Sequence, residues 1–399
     1  MHSELAEKQD RKSFMKKVLM VASVASMIGQ FNLPNIEILQ DMGYQVEVAC
    51  NFKKGSTWSG KMVAELKQKL KEMSVRYFQI DFSRKTTDVA SNVKALWQGE
   101  HLVKRNQYEF IHCHSPIGGV AARIAGRMNH TKVIYTAHGF HFFKSAPIQN
   151  WLIYYPIEKF LSRWTDTLIT INHEDYNRAR DHFHAKNVEY IPGVGVDTSR
   201  FKGCTVTKEE KRKQLGIPDT AFVLLSVGEL SYRKNHQVVI RALGEIEDPS
   251  VYYVIAGKGE DYEYYKQLME KIGIADRLLL LGARTDIDEL CVMADVFVHP
   301  SVREGLGIAP LEGMAAGLPL ISSYVNGIKD YTGDGVSGIC VTDPLDVEEM
   351  KRAILRMRDD PRLRESSSFN NRKIVEKFSL SASRGVMEEI YIKICGGGV

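Results

Sequence analysis

The chain has 399 residues, 44% of them hydrophobic and 26% charged, with a formal net charge of +4. That length suits two domains better than one core, and the composition excludes a disordered chain. The small, scattered positive charge gives no support to a nucleic-acid partner.

Residues 1–15 are polar and mixed in charge, and they read as a disordered tail. The apolar run 18–25 behind them is far short of a membrane span or a signal-peptide core, so it reads as the first buried strand of an α/β domain. From Lys17 onward, short β-rich runs alternate with amphipathic helical runs, the pattern of parallel strands with crossover helices. Strands are expected at 18–23, 45–49, 75–79, 110–112, 132–136, 167–170 and 188–191, with helices at 35–42, 63–73, 89–105, 119–127, 151–164 and 174–182. These form one doubly wound domain, 16–195. The rhythm breaks at IPGVGVDTSRFKG, residues 191–203, where Pro192, Gly193 and Gly195 extend neither element and mark a linker. A second alternation, with strands at 222–227, 251–256, 278–281, 296–298, 319–322 and 339–341, makes a second domain, 196–381. A last helical run at 383–394 follows a break at 379–381. The six cysteines (Cys50, Cys113, Cys204, Cys291, Cys340, Cys395) have no paired spacing, which fits reduced thiols in a cytoplasm and offers no metal site.

Open parallel sheets bind ligands at the carboxyl ends of their strands, so chemistry is expected in loops just after strands. The loop after the strand at 296–298 carries Glu304, Gly305, Leu306 and Gly307 and leads into a short helix with Pro310 in its first turn, ended by Gly317 and Pro319. A helix N-terminus with glycines beside it is an anion site, open to close approach by a phosphate. Glu304 and Glu312 flank it. A carboxylate there would repel a phosphate, so their expected job is to accept hydrogen bonds from sugar hydroxyls. Arg233 and Lys234, after the strand at 222–227, offer cations to a phosphate-rich leaving group. Arg284 follows the strand at 278–281.

In the first domain, the loop 24–32 holds one glycine, Gly29, and lacks the G-x-G-x-x-G of a dinucleotide site. Gly29 either lines the ligand cleft or makes the turn. His138, beside Gly139 and just past a strand, offers an imidazole to a sugar hydroxyl; the alternative packs it under its loop by Phe140, Phe142 and Phe143. His112, Cys113, His114 and His141 invite a zinc reading, set aside because the histidines come from two separate loops. Residues 151–164 are aromatic on more than one face. Burial in the first domain is the preferred reading, and docking on a lipid headgroup layer the alternative.

The stretch EGLGIAPLEGMAAGLPLI, with Glu304 and Glu312 in register, resembles the signature of the retaining, nucleotide-sugar-dependent glycosyltransferases of family 4. The resemblance covers nearly the whole chain after the tail. It implies the α/β GT-B fold, two doubly wound Rossmann-like domains facing a central cleft, with residues 382–399 returning to the N-terminal, acceptor-side domain. It also implies that Lys234, Arg233 and the backbone of Gly305, Leu306 and Gly307 hold the donor's diphosphate. Glu304 then orients the sugar, Glu312 the ribose, and His138 the sugar and acceptor side. The loop of Gly29 faces the donor phosphates and acceptor, and that of Arg284 meets the base. One departure stands out: where the family has an arginine, this chain has Glu229, and Arg233 is the nearest guanidinium to replace it. The implied chemistry is metal-independent transfer with retention, from a nucleotide diphosphate donor, most simply a UDP-sugar used as co-substrate with no further cofactor. The acceptor is a glycan or lipid-linked glycan of bacterial capsule or exopolysaccharide assembly. The implied location is cytoplasmic, with peripheral contact at the inner face of the plasma membrane. A sugar-nucleotide epimerase of the same architecture and a non-catalytic sugar-nucleotide-binding subunit are the rival readings.

Overall fold

A computed structural model describes residues 16–55, 58–84, 87–144 and 146–396, so the expected tail at 1–15 lies outside the described residues. The chain divides into two compact units, one reaching to Ile191 and resuming at Arg384, the other spanning Pro192–Ser383. Residues 192–195, read from sequence as the end of the first domain, belong with the second unit. There Val196 donates its N–H to Phe378 and accepts that of Leu380, and the Gly195 backbone packs against Leu380.

In the first unit, β1 (Lys17–Val24), β2 (Gln45–Asn51), β3 (Arg76–Gln79), β4 (Phe110–His114), β5 (Lys132–Ala137), β6 (Thr167–Thr170) and β7 (Asn187–Tyr190) form one parallel sheet in the order β3-β2-β1-β4-β5-β6-β7. β1 is a run of apolar and small residues buried almost throughout, as a central parallel strand covered on both faces must be. Chain order reverses between β1 and β4, the switch point at whose carboxyl ends open parallel sheets bind ligands.

The second unit repeats the plan with β8 (Phe222–Val227), β9 (Val251–Ala256), β10 (Leu278–Leu280), β11 (Val296–His299), β12 (Leu320–Ser323) and β13 (Gly338–Val341), ordered β10-β9-β8-β11-β12-β13 and parallel throughout. Its core includes Leu224, Val239, Leu243, Val251, Ile255 and Val298, all fully buried or nearly so. Each such side chain contributes about 1.5–3 kcal/mol relative to exposure. The reversal falls between β8 and β11.

One element differs from the sequence reading, and another, the last helix, takes the expected place. Residues 24–32, read as a loop, are mostly a helix, Ala25–Phe31, which then runs into helix Leu33–Asp41. Seven residues without a side-chain cap give little periodic signal. At the far end, helix Leu380–Gly396 buries Met387, Ile390 and Tyr391, and Arg384 reaches Glu37 (3.1 Å) and Asp41 (3.0 Å) within the first unit.

Candidate active site

Because β8 and β11 are neighbours at the reversal, the loop after each lies beside the other although about seventy residues separate them in sequence. The first loop brings Arg233 and Lys234, the second Glu304. Lys234 Nζ donates to the Glu304 carboxylate at 2.7 Å, and Arg233 Nη1 bridges both its oxygens at 3.3 and 3.2 Å. The Ser301 hydroxyl (3.4 Å) and His299 Nε2 (3.5 Å) complete the surroundings. Burial pushes the Glu304 carboxyl up, but Lys234, the contact with His299 and Arg233 outweigh it and hold the group well below the usual carboxylate range. Glu304 is therefore a fixed anion. His299 goes the other way: burial and the Lys234 charge lower it to about 4, so at neutral pH it is an uncharged neighbour. Glu229, at the position where the family resemblance expects an arginine, lies 3.8 Å from the Arg233 guanidinium, which so sits between two carboxylates.

Three devices hold the Glu304 loop. Asn235, in the left-handed region at φ 54°, donates to the carbonyls of Pro300 (3.0 Å) and Pro344 (2.6 Å), tying the Lys234 loop to the β11 loop. Ser323 donates to the Ser301 carbonyl (2.5 Å), and Tyr331 to that of Leu306 (2.8 Å). Gly327 lies so close to the Gly305 carbonyl that a Cβ would sit 1.9 Å from it. This glycine is required by the Gly305 backbone itself. Gly307, at φ +87°, precedes helix Ile308–Ala315, whose N-terminus has no side-chain cap. A Cβ on Gly307 would meet Glu304 Cγ at 3.0 Å, which sets the carboxylate's stem at that helix start.

The other residues of the second unit named from sequence take separate places. Leu306 is buried, and its side chain packs against Gly193. Glu312 is half-buried on helix Ile308–Ala315; burial raises its carboxyl to about 7, with Arg200 opposing the shift and Asp288 adding to it. The Arg284 guanidinium is spent on Asp286, with Nε donating at 2.8 Å, so this side chain turns to its own loop.

In the first unit the histidines meet. His114, at the end of β4, places Nδ1 3.2 Å from Nε2 of His138, which follows β5, and the Phe31 ring lies 5.9 Å from that of His138. Phe140 and Phe142 stack on each other in the domain core, with Phe183 and Trp151 beside them. Burial lowers His138 to about 4 and His112 to about 3, and holds His114 well below its ordinary value, with neighbouring imidazoles adding to the effect on these last two. All three are neutral at pH 7. His112 is bound by Tyr391 (2.7 Å, Nδ1) and Thr136 (2.8 Å, Nε2), and the His141 ring lies on Tyr154. Among the described residues no group of three or more His, Cys, Asp and Glu could hold a metal ion. Gly29 neither makes a turn nor has a positive φ. It sits inside helix Ala25–Phe31 beneath Trp58, whose ring a Cβ would strike at 2.1 Å, so its small size serves packing.

Sequence reasoning missed His299, Asn235, Tyr331 and Ser115. Ser115, between β4 and Pro116, is held at φ 68°, ψ 150°, a conformation that costs a non-glycine residue about 1–3 kcal/mol and concentrates at functional sites. Its hydroxyl accepts from the Ser23 N–H (3.1 Å) and lies 2.9 Å from Ser23 Oγ across the β1/β4 reversal. His299 had a readable signal, since it ends the strand before the Glu304 loop.

Two Rossmann-like parallel-sheet units in one chain are the plan of the GT-B fold. Residues 17–172 match the family Glycosyl transferase 4-like, and residues 207–374 the family Glycosyl transferases group 1. The chain is 36% identical over 383 residues to the "Putative glycosyltransferase EpsD" of Bacillus subtilis (strain 168), covering 94% of this chain and 96% of that protein. It is 29% identical to the UDP-Gal:alpha-D-GlcNAc-diphosphoundecaprenol alpha-1,3-galactosyltransferase of Escherichia coli, over 92% and 94% of the two chains. Among solved structures, HepE of Anabaena in complex with UDP and glucose shares the fold with a TM-score of 0.74 at 20% identity, covering 96% of this chain and all of that one. WaaG, a glycosyltransferase involved in lipopolysaccharide biosynthesis, gives a TM-score of 0.71 at 17% identity over 94% and 99%. This chain belongs to the GT-B glycosyltransferases of the family 4 type.

Proposed function

We propose that the chain is a retaining glycosyltransferase that moves a sugar from a nucleotide diphosphate donor, a UDP-sugar, to a glycan or lipid-linked acceptor in bacterial polysaccharide assembly. The observation that carries this is the Lys234–Glu304–Arg233 cluster at the start of helix Ile308–Ala315: two cations and a set of backbone N–H groups at one spot, with a permanently ionised carboxylate among them. The names of the relatives support the donor and the setting, since one transfers galactose from UDP to a diphosphoundecaprenol-linked sugar and a fold neighbour holds UDP.

The donor's diphosphate competes with Glu304 for Lys234 and Arg233. Once the phosphates take the cations, the Glu304 carboxylate is free to accept hydrogen bonds from the sugar hydroxyls, and Glu312 those of the ribose. The C1–O bond to the diphosphate breaks, and Lys234, Arg233 and the amides of Gly305, Leu306 and Gly307 meet the developing charge. The acceptor hydroxyl forms its bond to C1 on the same face, and its proton passes to the departing phosphate oxygen. His138 is neutral. Its Nε2 faces His114, which leaves Nδ1 for a sugar or acceptor hydroxyl. These cations and amides do the work a divalent metal does elsewhere, and no cofactor beyond the donor is required. We place the enzyme in the cytoplasm, at the inner face of the plasma membrane, where a lipid-linked acceptor is met. Among the described residues no helix is long and apolar enough to cross a membrane.

The test incubates purified protein with a panel of labelled nucleotide sugars and lipid-linked or free glycans. Released UDP with a lengthened glycan whose new linkage keeps the donor's anomeric configuration supports the proposal. An isomerised sugar made without acceptor points to the epimerase, and tight binding without turnover to the subunit.

A further inference from the structure

Helix Ile148–Leu161 is apolar on the side that faces solvent. Ile148, Leu152, Ile153, Ile157 and Phe160 are between 45% and 70% exposed. At a hundred degrees per residue they fall on one half-turn with Pro156, Gln149 and Lys159, and Lys159 is the one charged side chain of that half, its Nζ 5.8 Å from the Tyr155 ring. The burial preferred from sequence therefore holds only for the opposite half. That half is firmly seated. Glu158 forms a buried ion pair with Arg123 (2.8 Å), Arg123 lies over the Tyr135 ring (4.3 Å), and Trp151 donates from Nε1 to the Phe143 carbonyl (3.2 Å) beneath the Arg178 guanidinium. The exposed face is thus held in place by its own back side.

At the carboxyl end of this helix, the chain continues into a single 3-10 turn, Ser162–Trp164, where Arg163 lies 5.7 Å from the Phe160 ring. Arg163 is also in the wall of a cavity of about 260 Å³ that Arg127, Lys132 and Lys186 line as well. Its lining has one carboxylate, Asp166, which is already engaged by Lys186 and by the Val133 N–H. Four cations against one occupied carboxylate, continuous with an apolar helix face whose one charged side chain, Lys159, is also a cation, are complementary to a surface with anionic phosphates above hydrocarbon. A soluble monomer rarely leaves such a face in water.

We propose that this helix face and the cationic cavity at its end seat the first unit on an anionic phospholipid surface, with Ile148, Leu152, Ile153, Ile157 and Phe160 in the acyl boundary and Arg127, Lys132, Arg163 and Lys186 on the headgroup phosphates. This deepens the membrane-side reading above and rests on it for its purpose, while standing on different residues from the donor site.

The test is vesicle co-sedimentation of the full chain, with pure phosphatidylcholine and with about one third phosphatidylglycerol added, where the anionic vesicles are expected to bind about tenfold or more tightly and to lose this advantage in high salt. Leu152→Glu with Ile157→Glu is expected to weaken binding to anionic vesicles by about tenfold or more, since each places a charge in the boundary layer. Arg127→Glu with Lys132→Glu is expected to remove the preference for anionic lipid. Melting temperature and UDP affinity by calorimetry, unchanged in both variants, show that the fold is intact. No sedimentation with anionic vesicles, or equal sedimentation of wild type and variants, overturns the proposal. So does a dimer in sedimentation velocity that Leu152→Glu dissociates while vesicles are ignored, because the occupant is then a second copy. Vesicle binding by a protein that neither binds UDP nor turns over a donor leaves this inference standing and sinks the transferase reading; transfer to a soluble acceptor by a protein that ignores vesicles does the reverse.

Discussion

The loops leaving β8 and β11 gather opposite charges, whereas those leaving β4 and β5 gather imidazoles kept uncharged. Both sets stand at the carboxyl ends of parallel strands, so the same architecture positions them, and their surroundings make the difference. Around Glu304, two cations compensate for burial and the carboxyl stays ionised. Around His112, His114 and His138 nothing compensates, and burial strips each imidazole of its proton at neutral pH. On the proposed function, the second unit meets the charged part of the donor and the first a group recognised through its hydroxyls.

The comparison breaks most sharply at Lys234. Lys234→Ala removes the shorter of the two ion pairs and leaves Glu304 buried with only Arg233, so kcat is expected to fall by about 10²–10³-fold in a transfer assay, with UDP affinity falling too. Glu304→Ala should separate the sugar from the phosphate. Transfer is expected to drop by about a hundredfold, while affinity for UDP alone is held or rises because the cations have lost their competitor. A parallel loss of UDP affinity in calorimetry would show that the carboxylate serves only to hold the loop.

On the neutral side, His138→Asn is expected to reduce kcat by about tenfold, the worth of one hydrogen bond. As His138 is lowered to about 4, the pH–rate profile should show no inflection from it near neutrality, and one that vanishes in the variant would overturn the assignment. Glu312 supplies the pH dependence instead. Its carboxyl is raised to about 7, so the ionised form that accepts ribose hydroxyls grows as pH rises through that value. UDP should accordingly bind about tenfold more tightly near pH 8 than near pH 6 on this account, a difference that Glu312→Gln removes after the nucleotide's own titration is subtracted. The smallest effect belongs to metal removal: transfer rates with and without excess EDTA should agree, because side-chain cations and backbone amides hold the diphosphate.

Much of the scaffold was legible. Buried strands are dense in β-branched and aromatic residues and are punctuated by glycine and proline, so β6, β8 and β9 could be read to the residue. The Glu304 loop announced itself through glycines and Pro310, which few other local structures require. The helix Ala25–Phe31 was hidden, because two turns with no side-chain cap give no readable start or period. Gly29 looked like a turn residue, but its requirement comes from Trp58, about thirty residues on. The exposed face of helix Ile148–Leu161 was misread for a related reason: apolar residues on both halves of a helix imply burial on both, unless the partner of one half lies outside the chain.

The sequence by itself determined the alternation of strands and helices, the two-unit plan, and the loops in which chemistry would reside, because all of these follow from local periodicity and from residues with few conformational options. Only the tertiary structure decided that Lys234 and Arg233 close on Glu304, that Asn235 and Tyr331 hold the loops bearing them, and that the histidines of the first unit are neutral. Those outcomes depend on which strands become neighbours and on how much water they exclude, and both are settled by contacts between residues far apart along the chain.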